Sequence, residues 1–239
     1  MSPAGVRMKA NPPNPSHLSG KVIYLLILVV LVQFLYPVTA SGTLLIMLIY
    51  QLFYASLLVV GIVVARDHPW LVRLLTLLGI TWLVTGTLYS FNQDALWAQL
   101  LGYGVLILFQ AVIIQTLLRF VFRAQVVDRE VLYAASAAYL LLGALFVSAF
   151  GLVETLTYAN TGQHAFIDSQ AATGESFPWQ HFVYYSYVTL TTLGYGDILP
   201  VTMWARSLVS LEAVIGVLYV TVIMARLVGL YAAGDVASE

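Results

Sequence analysis

The chain has 239 residues, of which 61% are hydrophobic and 9% charged, with a net charge of -1. A soluble domain carries about a quarter charged residues, so much of this surface must face lipid, and the near-zero charge gives no basis for nucleic-acid binding. Cysteine is absent, which excludes disulfides and thiolate metal sites.

Residues 1–21 are polar, carry Pro12, Pro13 and Pro15, and read as a disordered tail. Arg7, Lys9 and Lys21 precede an apolar run that ends Val38-Thr39-Ala40. That pattern is similar to a secretory signal, but the run exceeds a signal's apolar core, so a retained first helix is expected. A spanning helix needs about 20 mostly apolar residues. Six stretches meet this: 22–39, 43–65, 69–89, 95–118, 130–156 and 203–232. The expected fold is therefore an all-α membrane protein. Pro37, Ser41-Gly42, Asp67-His68-Pro69 and the polar stretch from Ser90 to Asp94 separate the first four, and such short links make neighbours antiparallel.

The last gap, 157–202, is too long for a turn. Residues 160–177 are rich in Gly, Ser, Gln and Asp and read as an exposed loop. Residues 178–190 are apolar and aromatic but too short to span, which indicates a re-entrant helix. Irregular backbone at membrane depth is tolerated only where protein surrounds it or it lines a water-filled path. The basic residues Arg66, Arg73, Arg119, Arg123, Arg129 and Arg226 fall on one side if both termini are cytoplasmic, with Arg206 the exception. Asp94, Glu154, Asp168, Glu175 and Asp197 fall on the other.

The re-entrant segment ends Thr189-Leu190-Thr191-Thr192-Leu193-Gly194-Tyr195-Gly196-Asp197. An ion leaving water needs replacement oxygens, and successive backbone carbonyls provide them if they share one direction. Gly194 and Gly196 permit the positive φ that this requires. A Gly-x-Gly alone is weak evidence; the short helix before it and the spanning helices around it give the context. The run resembles the signature of the tetrameric potassium channels, Thr-Val-Gly-Tyr-Gly-Asp, with Leu193 in place of Val. The resemblance covers about 130–232. It includes Pro200-Val201-Thr202-Met203-Trp204-Ala205-Arg206, similar to a run in small bacterial two-helix channels.

The resemblance implies a selectivity filter at Thr192, Leu193, Gly194, Tyr195, Gly196 and Asp197, with K+ held by the carbonyls of Thr192, Leu193, Gly194 and Tyr195. One chain gives a quarter of each oxygen ring, so a homotetramer in the cell membrane is implied. Thr191, Tyr184 and Tyr185 would support the filter; the tyrosines stand where the family often has Trp-Trp. Gly216 falls at the family's inner-helix hinge, and Ala213, Val217, Val220 and Met224 on the cavity-facing stripe. The acidic residue that some members place behind the filter is Val188 here, which leaves Asp197 without that partner. Leu199 replaces an aromatic found in other members.

Six-helix members often carry arginines at every third position of helix four; residues 95–118 contain no basic residue. The chain therefore divides into the tail, a four-helix scaffold without sensor arginines at 22–123, and a pore module at 124–239. Glu212, inside the last helix, is a functional candidate because ionisable groups in a membrane are costly; a buried packing role, either protonated or bonded to the re-entrant helix, is expected, with no partner visible in the sequence. His164 and His181 are expected to be passive. The reading is a passive potassium-selective channel subunit surrounded by lipid, with no cofactor beyond the permeant ion. A potassium-transporter subunit and a nonselective cation channel are the alternatives. An enzyme is not expected, since no catalytic constellation is visible.

Overall fold

The computed structural model describes residues 22–41, 43–64, 69–91, 95–169 and 178–236. The expected tail at 1–21, Arg66, Asp94, Glu175 and the second half of the expected loop lie outside these. The chain forms α1 (Val22–Phe34), a 3-10 turn (Tyr36–Ser41), α2 (Leu44–Val64), α3 (Pro69–Phe91), α4 (Leu96–Arg123) and α5 (Arg129–Thr161). Strand β1 (Phe166–Asp168), α6 (Trp179–Leu190), β2 (Ile198–Pro200) and α7 (Met203–Val236) follow.

Four described helices are long and apolar enough to cross a membrane, over Pro69–Leu88, Leu96–Arg123, Arg129–Thr161 and Met203–Ala232. α1 is shorter than the sequence suggests. Its 13 residues rise about 20 Å at 1.5 Å each, less than a bilayer core of about 30 Å. Pro37 is the reason: it has no N–H to donate and drives the residue before it out of helical geometry. The chain continues as the tighter 3-10 turn, which reaches α6 through a Gln180 amide donating to the Thr39 hydroxyl at 3.1 Å. α4 is longer than expected. Arg119 and Arg123 lie in its last turns instead of beyond them, where positive charge suits the negative end of the helix dipole.

α5 is the organising helix. Asp128 caps it by accepting from the Val131 N–H at 2.9 Å, and Gly162, at φ 68°, ends it in left-handed geometry. At its start the Glu130 carboxylate accepts from the Val22 N–H at 3.3 Å, placing the start of α1 beside the start of α5. A single apolar core joins α1 to α5: Leu25 and Val29, Leu57, Leu75, Ile113 and Leu117, and Ala134, Ala138 and Leu141 all sit in it. α4 ends at Arg123, and the first four helices share one interior with α5.

Lipid gives apolar helices no hydrophobic reason to associate, so polar bonds and close packing hold such bundles. Tyr50 of α2 donates to the Val32 carbonyl at 2.9 Å, and Gln51 donates to the Leu83 carbonyl of α3 at 2.8 Å. Gln110 is the centre of a buried three-helix link. Its amide donates to the Tyr54 hydroxyl of α2 at 2.6 Å, and its carbonyl accepts from Ser148 of α5 at 3.3 Å. Each such bond contributes about 0.6 kcal/mol, with a maximum near 1.7. Gln110→Leu is therefore expected to lower the thermal stability of purified protein by about 1–3 kcal/mol, while Gln115→Leu, on the exposed side of α4, leaves it unchanged. Denaturation in mild detergent checks this.

The fold is helical apart from one short pair of strands. β1 and β2 form an antiparallel pair with Phe166 opposite Pro200, Ile167 opposite Leu199 and Asp168 opposite Ile198. Each strand has only three residues, too few to show alternation in a sequence. The ladder continues through Val201 N–H to the Ala165 carbonyl and Ser169 N–H to the Asp197 carbonyl, both at 2.8 Å.

Candidate functional site

The site is built at the end of α6. This helix is apolar enough to be buried, and Phe182, Val183, Tyr185, Ser186, Val188 and Leu190 are. Phe182 and Tyr185 join Phe146, Phe150 and Phe166 in a second, aromatic core against α5 and β1. Three hydroxyls bond α6 and α5 to backbone carbonyls of each other: Tyr187 to Leu140 at 2.8 Å, Ser186 to Gly143 at 2.8 Å and Tyr139 to Leu190 at 3.3 Å. Gly143 allows this approach, because a Cβ there would stand 2.6 Å from the Tyr187 ring.

Past Leu190 the character of the chain reverses. Six consecutive residues, Thr191 through Gly196, are exposed. Thr192, Gly194 and Gly196 have φ of 59°, 59° and 77°. Thr192 is the sole non-glycine residue with positive φ among the described residues, and for a β-branched side chain this is a true outlier. Such strain, of order 1–3 kcal/mol, persists only where surroundings enforce it, and it concentrates at functional sites.

Those surroundings are the last carbonyls of α6. The Thr192 N–H donates to Thr189 at 2.9 Å, the Leu193 N–H to Val188 at 2.9 Å and the Gly194 N–H to Val188 at 3.2 Å. In a planar trans peptide the C=O points opposite to the N–H, and no described peptide is cis. The carbonyls of Thr191, Thr192 and Leu193 therefore face away from α6, toward the open side. The Thr191 hydroxyl turns back to the Tyr187 carbonyl at 2.6 Å.

The two tyrosines of α6 divide their work. The Tyr184 ring lies parallel to Tyr195, 6.4 Å between centroids at 7°, and its hydroxyl donates to the Asp197 carboxylate at 2.6 Å. Asp197 thus has a partner other than the missing acidic one, which the sequence pattern alone did not reveal. Tyr185 faces the opposite way, into the aromatic core beside Phe150 and Phe166. Glu154 at the end of α5 accepts from the Ala165 and Phe166 N–H groups at 2.8 and 3.2 Å and pairs with His164. It anchors β1, which in turn holds β2 directly after Asp197. His181 faces Asp168 at 3.8 Å.

The hydrogen bond from Tyr184, with a smaller contribution from the Ile198 N–H, holds the Asp197 carboxyl below the ordinary carboxylate range. A carboxyl depressed in the folded state stabilises at pH above its unfolded value, and that contribution is lost as pH falls through the folded value. Tyr184→Phe should therefore reduce stability at neutral pH, with the difference from the unmodified protein vanishing in acid. Thermal unfolding followed from neutral to acid pH checks the sign.

α7 passes behind the site unbroken. Gly216 is buried and packs on the Leu190 carbonyl, leaving no room for a Cβ. Ala213 is half-buried, while Val217, Val220 and Met224 are exposed on one face. Arg226 donates to the Val121, Phe122 and Ala124 carbonyls, tying the far end of α7 to the end of α4.

A family model described as an ion channel matches residues 137–232. These residues are similar to an ion-channel domain. The match begins inside α5 and ends inside α7, so it takes in the whole of α6, the exposed run and the strand pair. The apolar helices and this match support a membrane protein and a passive ion channel. No curated protein and no solved structure matches the chain.

Proposed function

We propose that the channel is selective for potassium, and that Thr192 to Asp197 form its filter with α6 as the pore helix. The observation that carries this reading is the backbone at Thr192–Gly196. The N–H groups of Thr192, Leu193 and Gly194 are held from behind by α6, which turns the carbonyls of Thr191, Thr192 and Leu193 forward, where carbonyls can replace a hydration shell. Thr192, Leu193, Gly194 and Tyr195 supply the oxygens that hold K+. Asp197, at the outer edge, concentrates cations.

One chain presents one such row, so four copies close the ring as a homotetramer. The burial pattern supports this. Only 17% of the apolar window of α7 is buried within one chain, against 56% for α5, so α7 has faces left for neighbouring copies, lipid and the cavity. Ala213, Val217, Val220 and Met224 line that cavity, and their apolar lower end gates by dewetting. Six membrane-inserted helices with both termini cytoplasmic in the cell membrane place Arg119, Arg123, Arg129 and Arg226 at one face. α1 completes its crossing with the 3-10 turn. The first four helices serve as scaffold, since α4 carries no charge before its last turns.

Liposomes carrying the purified protein, loaded with potassium chloride and diluted into sodium chloride, test the reading. Potassium efflux should drive an interior-negative voltage like that given by a potassium ionophore. No voltage, with protein shown to be inserted, would count against it.

A further inference from the structure

Glu212 is completely buried, as is Ser186, and its partner is not visible in the sequence. One carboxyl oxygen, Oε1, lies within hydrogen-bonding distance of the Ser186 hydroxyl on α6. The other, Oε2, has no partner among the described residues. The same Ser186 hydroxyl lies 2.8 Å from the Gly143 carbonyl of α5. A serine hydroxyl has one hydrogen and a backbone carbonyl has none to give. Both contacts become hydrogen bonds only if the Glu212 carboxyl supplies the second hydrogen. A carboxylate here would also be a buried charge with an unpartnered oxygen and, among the described residues, no cation paired with it, which is among the costliest arrangements a protein can hold.

The groups that face Glu212 agree. From α5 it meets Tyr139, and from α6 Tyr185 and Tyr187; none of these is positively charged. The hydroxyls of Tyr139 and Tyr187 are committed to the Leu190 and Leu140 carbonyls.

We propose that Glu212 is a positioning residue for ion selection, a neutral carboxylic acid that donates to Ser186 while Ser186 donates to Gly143, locking α7, α6 and α5 together behind the filter. The relay sits two residues before Val188, whose carbonyl receives the Leu193 and Gly194 N–H groups. It lies one turn before Gly216, which meets Leu190. Hydrogen bonding at Ser186 and close packing at Leu190 together fix the last turn of the pore helix, and hence the filter backbone that leaves it. The inference rests on the potassium-filter reading for its effect on selectivity, but not for the relay itself.

The experiment compares the unmodified protein with Glu212→Gln, Glu212→Leu and Ser186→Ala in planar bilayers and in thermal unfolding. Glutamine keeps a donor toward Ser186, so Glu212→Gln should keep both stability and the potassium-to-sodium permeability ratio. Glu212→Leu and Ser186→Ala should lower that ratio by about tenfold, the scale of one lost buried hydrogen bond. Raising pH should reduce the ratio in the unmodified protein and not in Glu212→Gln, a difference that a packing role would not produce. Equal impairment of Gln and Leu variants, or a pH profile unchanged by Glu212→Gln, overturns the proposal. If Glu212→Leu fails to assemble, Ser186→Ala and the pH comparison decide. If the unmodified protein itself does not prefer potassium, the filter reading fails. The relay is then decided by stability, which Gln must keep and Ser186→Ala must lose.

Discussion

Replacing Gly194 by alanine is expected to abolish potassium selectivity while leaving each chain folded. A Cβ at this position meets nothing within 4 Å in the chain, so sterics with neighbours are not the issue. The backbone is: φ is 59°, and an L-residue in left-handed geometry costs about 1–2 kcal/mol. Four copies in one pore would raise this to about 4–8 kcal/mol, enough to tip the row of carbonyls into another arrangement. The scaffold and the aromatic core of α5 and α6 do not depend on this residue, so detergent stability and assembly should change little. Bi-ionic recording of Gly194→Ala beside a thermal melt checks both halves. Retained selectivity would mean that the positive φ is incidental.

Gly216→Ala is expected to do the opposite. Here φ is ordinary, but the added methyl would run into the Leu190 carbonyl, which is backbone and has little freedom to give way. Overpacking of this kind costs about 1–3 kcal/mol. The inner helix must also move off the pore helix close to the filter. Stability should fall together with current. A residue acting purely as a hinge would behave otherwise: alanine would restrict opening while the melting temperature stayed where it was. The two measurements on one variant therefore separate a hinge from a packing contact at the place where α7 runs unbroken.

Much of this was legible in the sequence because membranes impose simple rules. Long apolar runs between charged or proline-containing links showed α3, α4, α5 and α7 directly. The short aromatic helix before Gly194-Tyr195-Gly196 was legible because it was apolar and yet too short to span. Where a local exception overrode a global pattern, the sequence misled. Pro37 ended α1 early inside a run that hydropathy alone extends to 39. β1 was hidden because three residues carry no periodicity, and its anchor, the Glu154 carboxylate, read only as one more acid in an outer region.

Side-chain partners were the least legible. That Tyr184 would serve Asp197 while its neighbour Tyr185 faced the aromatic core follows from the helical turn between adjacent residues. A pair of tyrosines does not say which will face the filter. The left-handed Thr192 was likewise invisible: positive φ is written in glycines, and at a threonine only the enclosing hydrogen bonds from α6 reveal it. Ser186 gave no signal as the partner of Glu212, because the two are 26 positions apart and meet only through the packing of α6 on α7.

The central claim is that the backbone from Thr192 to Tyr195 passes potassium in preference to sodium. The measurement that meets it most directly is the reversal potential of purified protein in a planar bilayer, with potassium chloride on one side and an equal concentration of sodium chloride on the other. The account predicts a reversal potential displaced far toward the potassium equilibrium value, and lost in Gly194→Ala. A reversal potential near zero in the unmodified protein would contradict it.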